Sequence, residues 1–199
     1  MKKISLICIS LIFLTKISFA NNYSPDPKNF ISELVNDAIS KLSDKDLSKE
    51  EKLFYIENIA LHNVDIKALS LYTLGEIRKT ASQDKIEKYQ KAFAKYFLKS
   101  LSSRLSDYSE NKFEILSAEK KSPTYTIVKS KIVENEGQPE IKIDWRVYTK
   151  NVAKPLIRDL IVEGLSLART QKEEFASILN SNNNDMNILI SKLEEFVLN

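Results

Sequence analysis

The run Gly164-Leu-Ser166-Leu-Ala168 is the nearest approach in this chain to a catalytic motif, a G-x-S-x-G nucleophile elbow with alanine in its last place. A serine at such a turn needs a histidine base that follows it in chain order. The single histidine, His62, comes far earlier, so Ser166 reads as the N-cap of a helix and His62 as a surface or turn residue. One histidine cannot build a transition-metal site without several carboxylates, and the acids here are scattered among lysines, as on solvated helix faces. Glu173-Glu174 and Glu194-Glu195 read as surface pairs. No glycine-rich phosphate loop occurs. No catalytic residue, metal ligand or cofactor is therefore assigned.

Composition narrows the class further. Lys2 and Lys3 precede the apolar run ISLICISLIFL, and Ser18-Phe19-Ala20 supplies small residues around a cut after Ala20, the pattern of a cleaved secretory signal over residues 1–20. The run is too short to span a bilayer, which takes about 20 residues. Cys8, the only cysteine, lies early in that run. It is therefore lost with the signal and is not placed to carry a lipid anchor, so the remainder has no disulfide or thiolate site. The chain holds 30 basic and 27 acidic residues; the first twenty contain Lys2, Lys3 and Lys16 and no acid, so the remainder is balanced at 27 of each. No lysine stripe interleaved with aromatics suggests nucleic acid. The length fits one domain over 30–199, behind a flexible lead-in over 21–29.

The elements follow from periodicity. Phe30, Ile31, Leu34, Val35, Ala38, Ile39 and Leu42 recur at helical spacing. A second helix opens at Ser48-Lys-Glu-Glu51, a capping-box pattern. A third begins near Asp65, a good N-cap, and Gly75 marks its end. Ile86, Tyr89, Phe93, Phe97, Leu101, Leu105 and Tyr108 then predict an amphipathic helix of roughly 25 residues from near Ser82, about 38 Å long. Strands follow at Phe113–Ala118 and Tyr125–Val133. A hairpin loop at 134–139 feeds a third strand in which Ile141, Ile143, Trp145 and Val147 alternate with polar residues, and Leu156–Glu163 gives a fourth. Two helices close the chain, one from Ser166 and one around Met186–Val197. Helices followed by strands in meander order predict an α+β domain. Its curved antiparallel sheet of about four strands, braced by the long helix and two C-terminal helices, can enclose an apolar pocket.

Within these elements, the run Asp159-Leu-Ile-Val-Glu-Gly164-Leu-Ser166-Leu with Phe175 nine residues after the serine resembles the signature of the MlaC-like toluene-tolerance family. Asp65, Leu74-Gly75 and Arg78-Lys-Thr-Ala-Ser82 resemble its upstream string, and Tyr89 and Phe93 fall where its long helix carries paired aromatics. The similarity runs in order from Phe30 to Leu193. Pro155, where the family often has tryptophan, and Gln171-Lys172, where it has tyrosine-arginine, depart from it.

The resemblance implies a soluble, monomeric periplasmic carrier whose only bound molecule is its phospholipid cargo. Exposing roughly thirty methylenes at about 0.8 kcal/mol each would cost over about 20 kcal/mol, so such a carrier must bury both acyl chains. The implied acyl-chain pocket is lined by Phe93, Phe97, Ile127, Ile143, Trp145, Val147, Ile161, Leu165 and Phe175. The implied partners are a lipoprotein–porin complex at the outer membrane and an ABC transporter with an MCE-domain subunit at the inner membrane. Two other classes stay open: a periplasmic binding or scaffold domain with a filled core and no lipid, and a serine hydrolase built on Ser166.

Overall fold

The structure is a computed structural model that describes residues 23–105, 112–133 and 140–198. The signal over 1–20, the hairpin loop at 134–139 and Tyr108 lie outside the described residues.

Four α-helices come first: α1 (Pro27–Ser43), α2 (Lys49–Asn63), α3 (Ile66–Thr73) and the long α4 (Gln83–Leu105). Each of the first three starts where a side chain satisfies free backbone amides. Asp26 accepts from Asn29 N, Ser48 and Glu51 form a reciprocal capping box, and Asp65 accepts from Ala68 N. Helix α1 begins within the stretch expected as a lead-in. Proline at its first position loses no amide that the helix needs, and Tyr23 is tied down by a 2.6 Å bond from its hydroxyl to Asp37 and an edge contact on Phe30. Gly75, at φ +65°, breaks α3 from the 3-10 turn Gly75–Lys79 in the left-handed conformation that glycine adopts without strain.

Five antiparallel strands follow in sequence order: β1 (Lys112–Ser122), β2 (Tyr125–Val133), β3 (Ile141–Tyr148), β4 (Leu156–Val162) and β5 (Leu165–Ser166). About four were expected. The fifth is a two-residue return past Gly164, in which Ile161 pairs with Ser166, too short to leave a periodic signal. The sheet is curved and unclosed. Helices α5 (Leu167–Asn180) and α6 (Met186–Leu198) complete the α+β fold.

Strand register decides what each face carries, because alternate side chains point to opposite sides. Val128 lies between its neighbours opposite Trp145, and Trp145 opposite Leu160; Ser130 and Ile143, then Thr126 and Val147, flank them on the same side. Helix α1 covers this face with Phe30, Ile31 and Leu34. The other face carries Ile127, Arg146, Asp159, Lys129, Asp144 and Ile161, a mostly charged set.

Candidate functional site

Apolar side chains that could wall a pocket are gathered in two clusters. The helical cluster joins Ile66 of α3, Tyr89 and Phe93 of α4, Phe175 and Leu179 of α5, and Leu189 of α6. Its rings meet edge to face, with Phe93 and Phe175 at 6.2 Å and 89°, while Phe93 and Phe97 stack at 6.1 Å. Such offset arrangements are the favourable ones for aromatic quadrupoles. The sheet cluster joins α1 to Val128, Trp145, Val147 and Ile157, with Ile143 and Phe113 packed against it. Val64 packs against both clusters. It sits at the end of α2, bridged to Ile157 of β4, where the helical and sheet layers meet.

The nine expected wall residues divide accordingly. Phe93, Phe97 and Phe175 belong with the helical cluster; Ile143, Trp145 and Val147 belong with the sheet cluster. Ile127 is buried, yet register sets it and Ile161 on the charged face, opposite Trp145. Leu165 is 68% exposed, on β5 just past Gly164. Period-2 alternation within one strand cannot relate the faces of two strands, and apolarity alone does not say which face Ile127 and Ile161 take.

Polar groups in the clusters are satisfied internally. The Trp145 indole donates to Ser130 Oγ at 2.8 Å, and Ser130 in turn donates to the Ile143 carbonyl at 3.0 Å. The Tyr89 hydroxyl lies 2.8 Å from Thr73 Oγ1, and burial pushes the Tyr89 phenol well above the usual tyrosine range. Buried hydroxyls need such partners. Ser130 and Thr73 went unnoticed in the sequence, although a buried tryptophan or tyrosine always poses the question of what its polar atom meets.

A second polar node joins sheet to helices. Asp159 is 7% exposed; its Oδ1 accepts from Ala168 N at 3.0 Å and its Oδ2 from Ser166 Oγ at 2.7 Å, with Arg146 Nη1 at 3.7 Å. Ser166 caps α5 as expected, accepting from Arg169 N. Arg158, in the bulge of β4, meets Asp65 Oδ2 through Nε at 2.9 Å and Nη2 at 2.8 Å while lying 3.4 Å over the Tyr148 ring. His62 Nδ1 is 2.8 Å from its own helix's Asn58 carbonyl. Among the described residues no cluster of three metal-ligating side chains occurs.

The two departures in α5 serve the fold. Gln171 accepts from the Tyr96 hydroxyl at 3.0 Å, tying α5 to α4, and Lys172 lies 5.3 Å over the Tyr72 ring, tying it to α3. A separate cleft of about 210 Å³ between α1 and α2 is lined by Tyr23, Asp37, Lys41, Tyr55 and His62 among others. Ligand pockets for larger molecules run from about 300 Å³ upward, so this cleft is too small for a pair of acyl chains.

Residues 32–195 match the family model described as MlaC protein. No curated protein matches the sequence. Among solved structures, the fold is similar to that of a phospholipid-binding protein from Ralstonia solanacearum in complex with a phospholipid, with a TM-score of 0.70 and 18% identity over 84% of this chain and 94% of that one. At that identity the likeness speaks for the fold alone.

Proposed function

Since this chain belongs to the MlaC protein family, we propose that it is a soluble periplasmic phospholipid carrier, exported by a signal cleaved after Ala20. In this reading the acyl chains lie between the two apolar clusters, walled by Phe93, Phe97 and Phe175 on the helical side and by Ile143 and Trp145 on the sheet side, with Val147 packed within the sheet cluster. Ile127 and Ile161, on the charged face of the sheet, and the exposed Leu165 lie outside this seam. The headgroup stays outside. The carrier serves a Mla-type transport system, exchanging lipid with a lipoprotein–porin complex at the outer membrane and an MCE-domain ABC transporter at the inner one.

One observation carries this reading: the interior is built as two leaves that both pack on Val64. A domain with one continuous core must break its packing to admit a chain, whereas two leaves can part along their seam and keep their own contacts. The fold similarity to a protein solved with a phospholipid supports it. No described helix is long and apolar enough to cross a membrane. The scaffold alternative draws on the near-complete burial of Phe93, Phe175 and Val147, which a filled core also explains. Against a hydrolase stands Ser166, whose hydroxyl is held by a carboxylate and a helix amide.

The deciding experiment is organic extraction and native mass spectrometry of protein purified from a Gram-negative periplasm. Close to one phospholipid per chain is expected. Apo mass alone, with no uptake of lipid from vesicles, would sink the carrier reading in favour of the scaffold.

A further inference from the structure

Helix α4 turns its aromatic side inward and a row of lysines outward. Lys88, Lys91, Lys95 and Lys99 fall at steps of three and four, which places them along one line of the helix, and all four are exposed. Lys88 is paired with Asp84 at 2.9 Å. Among the described residues Lys91, Lys95 and Lys99 enter no ion pair, although the chain as a whole is close to charge balance. Acids on or against this helix are Asp84 and Glu87 of α4 itself, Glu87 accepting from Gln83 at 2.9 Å, Glu57 of α2, which accepts from Ser102 at 3.1 Å, Glu174 of α5, close enough to act on Tyr96, and Glu194 and Glu195 on the adjoining α6.

Helix α6 brings a second feature to the same side. Phe196 is 43% exposed, and its ring lies 4.9 Å from that of Tyr96, the residue between Lys95 and the next turn's Lys99. A lone exposed apolar residue calls for no account, and a lysine row alone is an ordinary solvated face. Together they match the physics of an interfacial anchor, in which ammonium groups are drawn to anionic headgroups and an aromatic ring enters the headgroup region.

We propose that the Lys91–Lys95–Lys99 row, with Phe196 beside it, docks this protein onto anionic phospholipid surfaces. The docking surface is the outer side of α4, and the inner side belongs to the helical cluster. Docking is therefore separable from lipid holding, and the inference stands apart from the carrier reading.

The test is flotation of periplasm-purified protein with vesicles of phosphatidylcholine and phosphatidylglycerol in equal parts, against phosphatidylcholine alone. Wild type should float with the anionic vesicles only, and less so as salt rises. A lysine near an anionic surface contributes about fivefold in binding, so the triple variant K91Q/K95Q/K99Q should bind on the order of 100-fold more weakly. Its melting temperature and its phospholipid per chain should match wild type. Phe196→Ser should weaken binding while leaving the salt dependence in place. Absence of wild-type flotation at low salt overturns the proposal, and so does a triple variant that floats as wild type. Loss of capture of an acidic protein, with vesicle flotation unchanged, overturns it in favour of a protein partner.

Discussion

The Ser166 hydroxyl donates a 2.7 Å hydrogen bond to Oδ2 of the buried Asp159 and accepts one from Arg169 N at 3.1 Å. One side chain thus caps α5 and satisfies a carboxylate on the strand before it. Ser166→Ala removes both. Loss of the cap costs about 1 kcal/mol, and a buried carboxylate short of a donor costs about 1–3 kcal/mol more. Ser166→Asp is a sound cap in isolation, but it sets a second carboxylate against Asp159 and should destabilise at least as much. Urea unfolding of the two variants decides the matter. A wild-type midpoint for Ser166→Asp would mean that the Asp159 contact adds nothing.

Val64 and Val147 differ in where added volume goes. Val147 is wholly buried inside the sheet cluster, whereas Val64 packs against both clusters. Val147→Trp should cost typically about 1–3 kcal/mol through overpacking. Val64→Trp should fill the seam, leaving the delipidated protein near wild-type stability while lowering retained phospholipid several-fold. If both variants lose stability equally and keep their lipid, the seam is not where the chains lie.

The Asp65–Arg158 pair fastens α3 to β4 next to that seam, with Asp65 side chains 18% exposed and Arg158 34% exposed. Asp65→Asn keeps a capping oxygen and removes the charge. A double-mutant cycle of Asp65→Asn with Arg158→Met should return a coupling of about 1 kcal/mol, at the upper end for exposed pairs. Additive single effects would show that the contact contributes no energy of its own.

Glu119 supplies a pH dependence. Hydrogen bonds from Lys121 first and Lys129 second, on the exposed side of the sheet, hold its carboxyl down at about 2, from an ordinary 4.5. A depressed folded-state value means that the stabilising contribution is present above the unfolded value and is lost as pH falls through the folded one. Glu119→Gln should therefore unfold more readily than wild type at neutral pH. The gap between their urea midpoints should close as pH falls from about 4.5 to about 2. A gap that is constant across that window would assign the effect to something other than the lysine contacts.

Much of the molecule was readable from short stretches, because the forces concerned act over a few residues. The Ser48–Glu51 box, the Asp65 and Ser166 caps, the amphipathic α4 and the alternation of Ile141 to Val147 each depend on neighbours within about two helical turns or one strand. All are present. The absence of a histidine after Ser166 is likewise a property of the chain order. Tertiary structure alone decided which apolar residues share a surface. Register between strands put Ile127 and Ile161 across the sheet from Trp145, and packing of α1 on one face divided the interior into two clusters that share Val64. Asp159 could not be recognised as buried, nor Arg158 beside it as the link from β4 to Asp65, because those contacts join residues that only the folded chain brings together. Local periodicity reports the side of an element that is apolar, and the partner that covers that side is set by long-range packing.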